Sequence, residues 1–165
     1  MTVEAVVLRS VLRAHASGVA VVTAHGSAGP AGVTITSFTS LSARPALVSF
    51  ALADTSSSWN LIEECDWFGV QLLGAHQSEV AERFASRGID RFAPPTRWRV
   101  GPHGVPLLDN CLCWMVCSWH HHIRVGDHHL VVGAVEYAQE GVPGDSLVHL
   151  HGALCPVTSH TPERI

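Results

Sequence analysis

Val33-Thr34-Ile35-Thr36-Ser37-Phe38-Thr39-Ser40-Leu41-Ser42 is the stretch on which the fold of this chain turns. It carries no charge, and Val33 to Thr39 reads as a strand rich in Thr and Ile. The hydroxyls at 34, 36, 40 and 42 share one parity, and in a continuous strand they stand on one face. Two readings stay open on spacing alone. One is the solvated face of an edge strand. The other is a wall of donors lining a groove for a polar planar ligand.

Working outward, runs of the same kind recur. Val19 to Ala24 is a short β-branched run, and His25 to Ala31, with Gly26, Gly29 and Pro30, reads as a hairpin turn. Pro45 precedes Ala46 to Leu52. Residues 67–73, Leu112 to Trp119, His128 to Tyr137 and Ser146 to Leu150 are further strand candidates. Helical spacing is rarer. Val3, Val6, Val7 and Val11 predict an amphipathic helix over about 3–16, ended by Gly18. Asp54-Thr55-Ser56-Ser57-Ser58 opens a short helix, Trp59 to Glu64, and Ser78 to Ser86 reads as another with Ser78 as N-cap. Many short strands between turns, with few helices, predict a mainly β fold with flanking helices, a barrel covering about 18–155. A doubly wound parallel sheet needs helices alternating with strands and a Gly-rich first turn; neither is present.

The chain has 165 residues, which suits a single domain spanning 1–165. It is 47% hydrophobic and only 15% charged. That fits a compact monomer, or a chain that hides further apolar surface against a second subunit. The net charge of −4 without a basic stripe argues against nucleic acid, which is bound mainly through its phosphates. No apolar run approaches the ~20 residues of a membrane span. Met1 to Ser10 lacks the pattern of a secretory signal, which points to the cytoplasm. Cys111, Cys113 and Cys117 share the parity of one strand face and read as buried reduced thiols rather than metal ligands.

Four segments carry candidate chemistry. The hydroxyl strand is the first. Thr55-Ser56-Ser57-Ser58 is either an anion site or an ordinary helix start. Arg87 and Arg91 are either phosphate partners or solvated charges at a helix end. His120-His121-His122 and Gly126-Asp127-His128-His129 hold five of the twelve histidines. Successive residues of a strand alternate faces, so His120, His121 and His122 do not all converge on one ion. A hairpin at Val125-Gly126-Asp127 would set His128 at a strand start, at a barrel rim.

The order and spacing of these segments resemble the short-chain flavin reductases with a split β-barrel, the reductase partners of two-component flavin-dependent monooxygenases. The matching stretches run from Gly18-Val19-Ala20-Val21-Val22-Thr23 through Gly32-Val33-Thr34, Ser37-Phe38-Thr39-Ser40-Leu41-Ser42, Pro45-Ala46-Leu47-Val48 and Ser56-Ser57-Ser58. They continue with Phe68-Gly69-Val70-Gln71-Leu72-Leu73, Phe84-Ala85, Asp90-Arg91-Phe92, Trp98, Gly104-Val105-Pro106-Leu107-Leu108, Gly126-Asp127-His128 and Gly133-Ala134-Val135.

The resemblance implies an FMN-binding split β-barrel, flavin reductase-like, acting as a homodimer with FMN or FAD near the subunit interface. It implies that Thr34, Ile35, Thr36, Ser37, Ser40, Leu41 and Ser42 hold the flavin ring, largely through backbone groups. It further implies that Ser57 and Ser58 hold phosphate, that Phe84 and Arg91 belong to the flavin site, and that Gly126, Asp127 and His128 lie by flavin and nicotinamide. The implied reaction passes a hydride from NADH or NADPH to the flavin, with reduced flavin leaving for a partner monooxygenase. His128 is the catalytic candidate, as a positioner of the nicotinamide; no metal is expected. The chain departs from the family pattern at Thr36, where the family usually has Asn, and at Ala153 after Gly152, where it often has Arg. Arg87, Arg91, Arg97 and Arg99 are candidates for a 2′-phosphate. Two other readings remain: a flavoprotein that keeps its flavin for another redox reaction, and a non-enzymatic metal or haem module built on the histidines.

Overall fold

The computed structural model describes residues 3–157. In chain order the elements are helix α1 (Ala5–Leu12) and strands β1 (Ser17–Gly18), β2 (Ala20–Gly26), β3 (Gly29–Ile35), β4 (Thr39–Ala43) and β5 (Ala46–Ala53). Then come α2 (Trp59–Glu63), β6 (Trp67–Leu72), α3 (Ser78–Ala85), β7 (Trp98–Val100) and β8 (Pro106–Leu108). The described residues finish with β9 (Cys113–Val125), β10 (His128–Glu140), β11 (Ser146–Leu150) and β12 (Ala153–Val157). Seven strands form an antiparallel sheet in the order β3-β2-β6-β9-β10-β5-β4. A second sheet, β1-β11-β12, flanks it. The large sheet curls without closing: among the described residues no ladder pairs β3 with β5. This is a split barrel, as the resemblance implies.

The inside of the curl is filled by the alternate apolar residues of these strands, with Phe50 and Phe68 edge to face at 5.5 Å. A second group under α3 joins Val21, Leu73, Phe84, Phe92 and Leu147. Buried polar groups are paired: Gln71 Nε2 donates to Thr23 Oγ1 at 3.0 Å, and Thr23 Oγ1 donates to the Pro106 carbonyl at 2.6 Å. No described helix is long and apolar enough to cross a membrane.

Beyond shifts of strand ends, such as β9 running on to Val125 where the sequence pattern ends at Trp119, four differences from the sequence reading stand out. The first helix is Ala5–Leu12, shorter than 3–16, and none of its residues is buried. With no core to pack on, it stops where its own hydrogen bonds do. Ser78 is the first residue of α3 rather than its cap, because a short 3₁₀ turn, Ala75–Gln77, leads straight into it. The small strands β7 and β8 and the last strand β12 are too short or too irregular to show a period.

The fourth difference matters most. Val33 to Thr39 is not one strand: β3 ends at Ile35, and Thr36, Ser37 and Phe38 form an irregular corner before β4. A bulge at Leu41 then shifts the parity of β4 against β5. The hydroxyls at 34, 36, 40 and 42 therefore do not make one row.

Candidate functional site

A groove of ≈ 370 Å³ opens where the barrel is split. Val33 to Ser37, the end of β3 and its corner, form one wall. Ala51, Leu52 and Ala53, the end of β5, form the opposite one. Thr55, Ser56 and Ser57 bound it on the α2 side, Ala85, Arg87 and Arg91 on the α3 side, and His128 stands at the rim. Its volume lies in the usual range for a small-molecule site, and it combines apolar walls with a few convergent polar groups.

Several hydroxyls here are engaged by the backbone. Thr34 Oγ1 donates to the Ala81 carbonyl at 2.6 Å, tying β3 to α3. Ser37 Oγ donates to the Ala51 carbonyl and accepts from the Ala51 N–H, both at 2.9 Å, joining the two walls across the seam. Ser58, buried, donates to the Gly32 carbonyl at 2.9 Å. The hydroxyls of Thr36, Thr55 and Ser57 are on exposed residues at the groove and have no side-chain hydrogen bond among the described residues.

The two arginines differ. Arg91 reaches under the groove: Nη1 donates to the Gly32 carbonyl at 2.5 Å and to Ser58 Oγ at 2.6 Å, and Nε to the Ser86 carbonyl at 2.9 Å. Burial, with Arg87 nearby as a second cause, pushes its pKa down, though it stays a cation at any ordinary pH. Arg87 is exposed, with one long contact to the Thr55 carbonyl at 3.4 Å. Its guanidinium is the freer cation at the groove.

His128 is placed by a two-residue hairpin, Gly126-Asp127, between β9 and β10. Gly126 has φ +62, the conformation that a glycine-first hairpin demands of its first turn residue. His128 Nδ1 lies 2.7 Å from Asp127 Oδ1. That contact holds the exposed Asp127 carboxyl below its usual range. It also fixes the ring with Nδ1 toward Asp127, leaving Nε2 for a ligand.

The Flavin reductase like domain family matches residues 12–158 of the chain. The chain belongs to this family. It is 45% identical over 127 residues to a curated NADH:FMN oxidoreductase of Rhodococcus erythropolis, a match that covers 77% of this chain and 66% of that enzyme. Nitrilotriacetate monooxygenase component B of Mycobacterium thermoresistibile has a similar structure, with TM-score 0.89, 32% identity, and coverage of 99% of this chain and 94% of that one. So has a Streptomyces globisporus NADH:FAD oxidoreductase solved with NAD and FAD fragments, with TM-score 0.85, 30% identity, and coverage of 96% and 93%.

Within this flavin reductase like domain, the groove brings together Thr34, Ile35, Thr36, Ser37, Ser57, Arg91 and His128 of the sequence-predicted set. Gly126 and Asp127 stand beside it as the turn that carries His128. Ser58 lies just beneath, in an adjoining crevice with Arg91. Ser40, Leu41 and Ser42 are not brought to it. They sit on β4, at the outer edge of the large sheet, because the corner after Ile35 turns the chain away. Phe84 does not line it either: its fully buried ring packs under Gly32 and against Phe92 at 5.1 Å. Ala153 is in the flanking sheet and is not among the groove-lining residues. The sequence reading missed Ala51, Leu52 and Ala53, which are apolar and carry no motif, and quoted Ala85 only as part of a matching stretch. It named Arg87 without a place for it.

The histidines separate in an unexpected way. His120 is the extra residue of a bulge in β9, where Val132 pairs with His121 and Gly133 with Trp119. The bulge breaks the simple alternation and turns His122 toward Trp119 and Trp59. His122 then meets His129, Nε2 to Nδ1 at 3.2 Å, rather than His128. Among the described residues, no group of three or more His, Cys, Asp or Glu has the arrangement to hold a metal ion.

Proposed function

We propose that this chain passes a hydride from NADH or NADPH to FMN or FAD in the groove at the split of the barrel. Reduced flavin then leaves for a flavin-dependent monooxygenase. The observation that carries this reading is the convergence of the β3 corner, the Ser-rich turn, the Arg87–Arg91 pair and His128 on one open groove. The names of the relatives support it: an NADH:FMN oxidoreductase, a monooxygenase component, and an oxidoreductase solved with fragments of both cofactors.

The residues present fit a flavin. Ala51 and Ala53 offer partly exposed apolar surface to a planar ring, and Arg87 offers a cation to a phosphate. When bound, the flavin supplies the hydride acceptor and the nicotinamide the hydride, so the reaction is chiefly theirs. The chain binds and orients. The amides of Thr36 and Ser37 lie beyond the β3–β2 ladder and can meet negative charge at the ring edge. His128 Nε2 would be free to accept a hydrogen bond from a carboxamide and so to orient a nicotinamide in the groove. No general acid is needed for that step.

The chain works as a homodimer in this proposal. α1 leaves Val6, Val7, Leu8, Val11 and Leu12 between 50% and 68% exposed, an apolar surface of the kind that a second subunit covers. The test is simple. Purified protein should consume NADH or NADPH in proportion to added free flavin. A protein that stays yellow after long dialysis and ignores added flavin would instead be a flavoprotein with a resident cofactor.

A further inference from the structure

We propose that Asp54 is a positioning residue for His128; the inference rests on the hydride-transfer reading above. Asp54 follows β5 and begins the turn that carries Thr55, Ser56 and Ser57. Its carboxylate is bonded to one strand of the β9–β10 hairpin and packed against the other. Oδ2 accepts from Arg124 of β9, with Nε at 3.0 Å. Oδ1 lies 2.9 Å from His129 Nε2 of β10. Arg124 and His129 face each other in register, one pair of residues back from the turn. The Asp54 N–H also donates to the Asp127 carbonyl at 3.0 Å, extending the β5–β10 ladder to the turn itself.

The geometry separates this grip from the groove. Neighbouring residues of a strand point to opposite faces, so His128 lines the groove while His129 points away from it. There His129 stacks on Trp59, centroids 3.9 Å apart and planes 15° from parallel, and meets His122 at 3.2 Å. Glu63 Oε1 lies 3.7 Å from His122 Nε2. Asp54 itself is not a groove residue. Oδ1 is sealed from solvent and receives no aligned hydrogen bond; His129 Nε2 lies 2.9 Å from it, on a ring that the stack on Trp59 holds in place. A bridge whose Arg124 is 67% exposed adds little to the stability of a whole domain. It does restrain a two-residue hairpin, and through it the ring that must meet the nicotinamide.

The experiment is a double-mutant cycle on the full chain, with Asp54→Ala, His128→Ala and both together, read by steady-state kinetics and by hydrogen exchange. Asp54→Ala should raise the nicotinamide KM about tenfold while kcat and flavin affinity stay within about threefold. In the His128→Ala background the same change should add nothing. Asp54→Asn, which keeps the shape and one acceptor, should recover part of the loss. Amides of residues 124–130 should exchange faster in Asp54→Ala, with β2 and β6 unchanged. Additive effects on KM, or exchange accelerated evenly across the domain, would overturn the proposal. Wild-type protein without turnover would overturn the hydride-transfer reading instead, and exchange would still report whether Asp54 holds the hairpin.

Discussion

The Ser37 hydroxyl oxygen lies 2.9 Å from both the carbonyl oxygen and the amide nitrogen of Ala51, and so ties the corner after β3 to β5 where the barrel is split. It is a side-chain substitute for the ladder that β3 and β5 do not form. Ser37→Ala removes both bonds, one of them leaving a backbone amide to water. The site is exposed, so the loss should be about 1 kcal/mol. For a domain of this size, Tm should fall about 2–4 °C. Flavin affinity should fall as well, because one wall is freed from the other. Thermal unfolding with a flavin titration checks both; unchanged flavin affinity would count against the seam as part of the site.

Arg87 and Arg91 should respond differently to substitution. Arg87 is exposed at the groove with one long contact, whereas Arg91 holds the Gly32 carbonyl, Ser58 and Ser86. Arg87→Ala should raise the KM for FMN and FAD several-fold and leave riboflavin, which has no phosphate, unchanged. Arg91→Lys should impair all three flavins and lower Tm, since an ammonium cannot reproduce three fixed donors. Equal loss toward riboflavin and FMN in Arg87→Ala would contradict a phosphate role.

Gly32 is where β3 passes closest to the core beneath the site. A Cβ there would stand 2.7 Å from Phe84 Cε1 and 3.2 Å from Phe92 Cζ. Both rings are buried and packed against each other, so neither can retreat freely. Gly32→Ala should cost about 1–3 kcal/mol. Adding Phe84→Leu should recover part of it. Thermal denaturation of the single and double variants tests this, and a Gly32→Ala protein as stable as wild type would refute it.

Burial pushes the Cys117 thiol up to about 12 and the Cys111 thiol up to about 11, from an ordinary 9.0. A group whose folded pKa is raised contributes stability in full below its unfolded pKa. That contribution is lost as pH rises through the folded value. For these thiols the window runs from about 9 to about 11 and 12. Alkylation of native protein at about pH 8 should therefore modify the partly exposed Cys155 well before Cys111 or Cys117. Mass spectrometry of the labelled peptides gives the order, and early labelling of Cys117 would contradict its burial.

Much of this architecture can be read from residue pattern. Val19 to Ala24 and Ala46 to Leu52 show β-branched or alternating apolar character, and both are strands of the large sheet. The Gly126-Asp127 turn is legible because a two-residue hairpin needs a glycine there. The site is legible wherever it uses a motif: the Ser-rich turn, Arg91 and His128. It is hidden where it depends on tertiary geometry. Nothing in Thr36-Ser37-Phe38 announces a corner, since Thr and Phe favour strands and the chain bends only because the barrel splits there. Ala51 and Ala53 become walls through their position on β5, not through their chemistry. The bulge at His120 moves His122 to the Trp59 face, and no local signal marks a bulge in a run of identical residues.

The central claim is that nicotinamide and flavin meet in this groove with His128 as the positioner. Its most direct test is steady-state oxidation of NADH and NADPH, each with FMN, FAD and riboflavin, for wild type and His128→Ala side by side. Turnover by wild type in at least one pairing is predicted, with His128→Ala raising the nicotinamide KM about tenfold and changing kcat by less than about threefold. No oxidation in any of the pairings, or a large fall in kcat at unchanged KM, would contradict it.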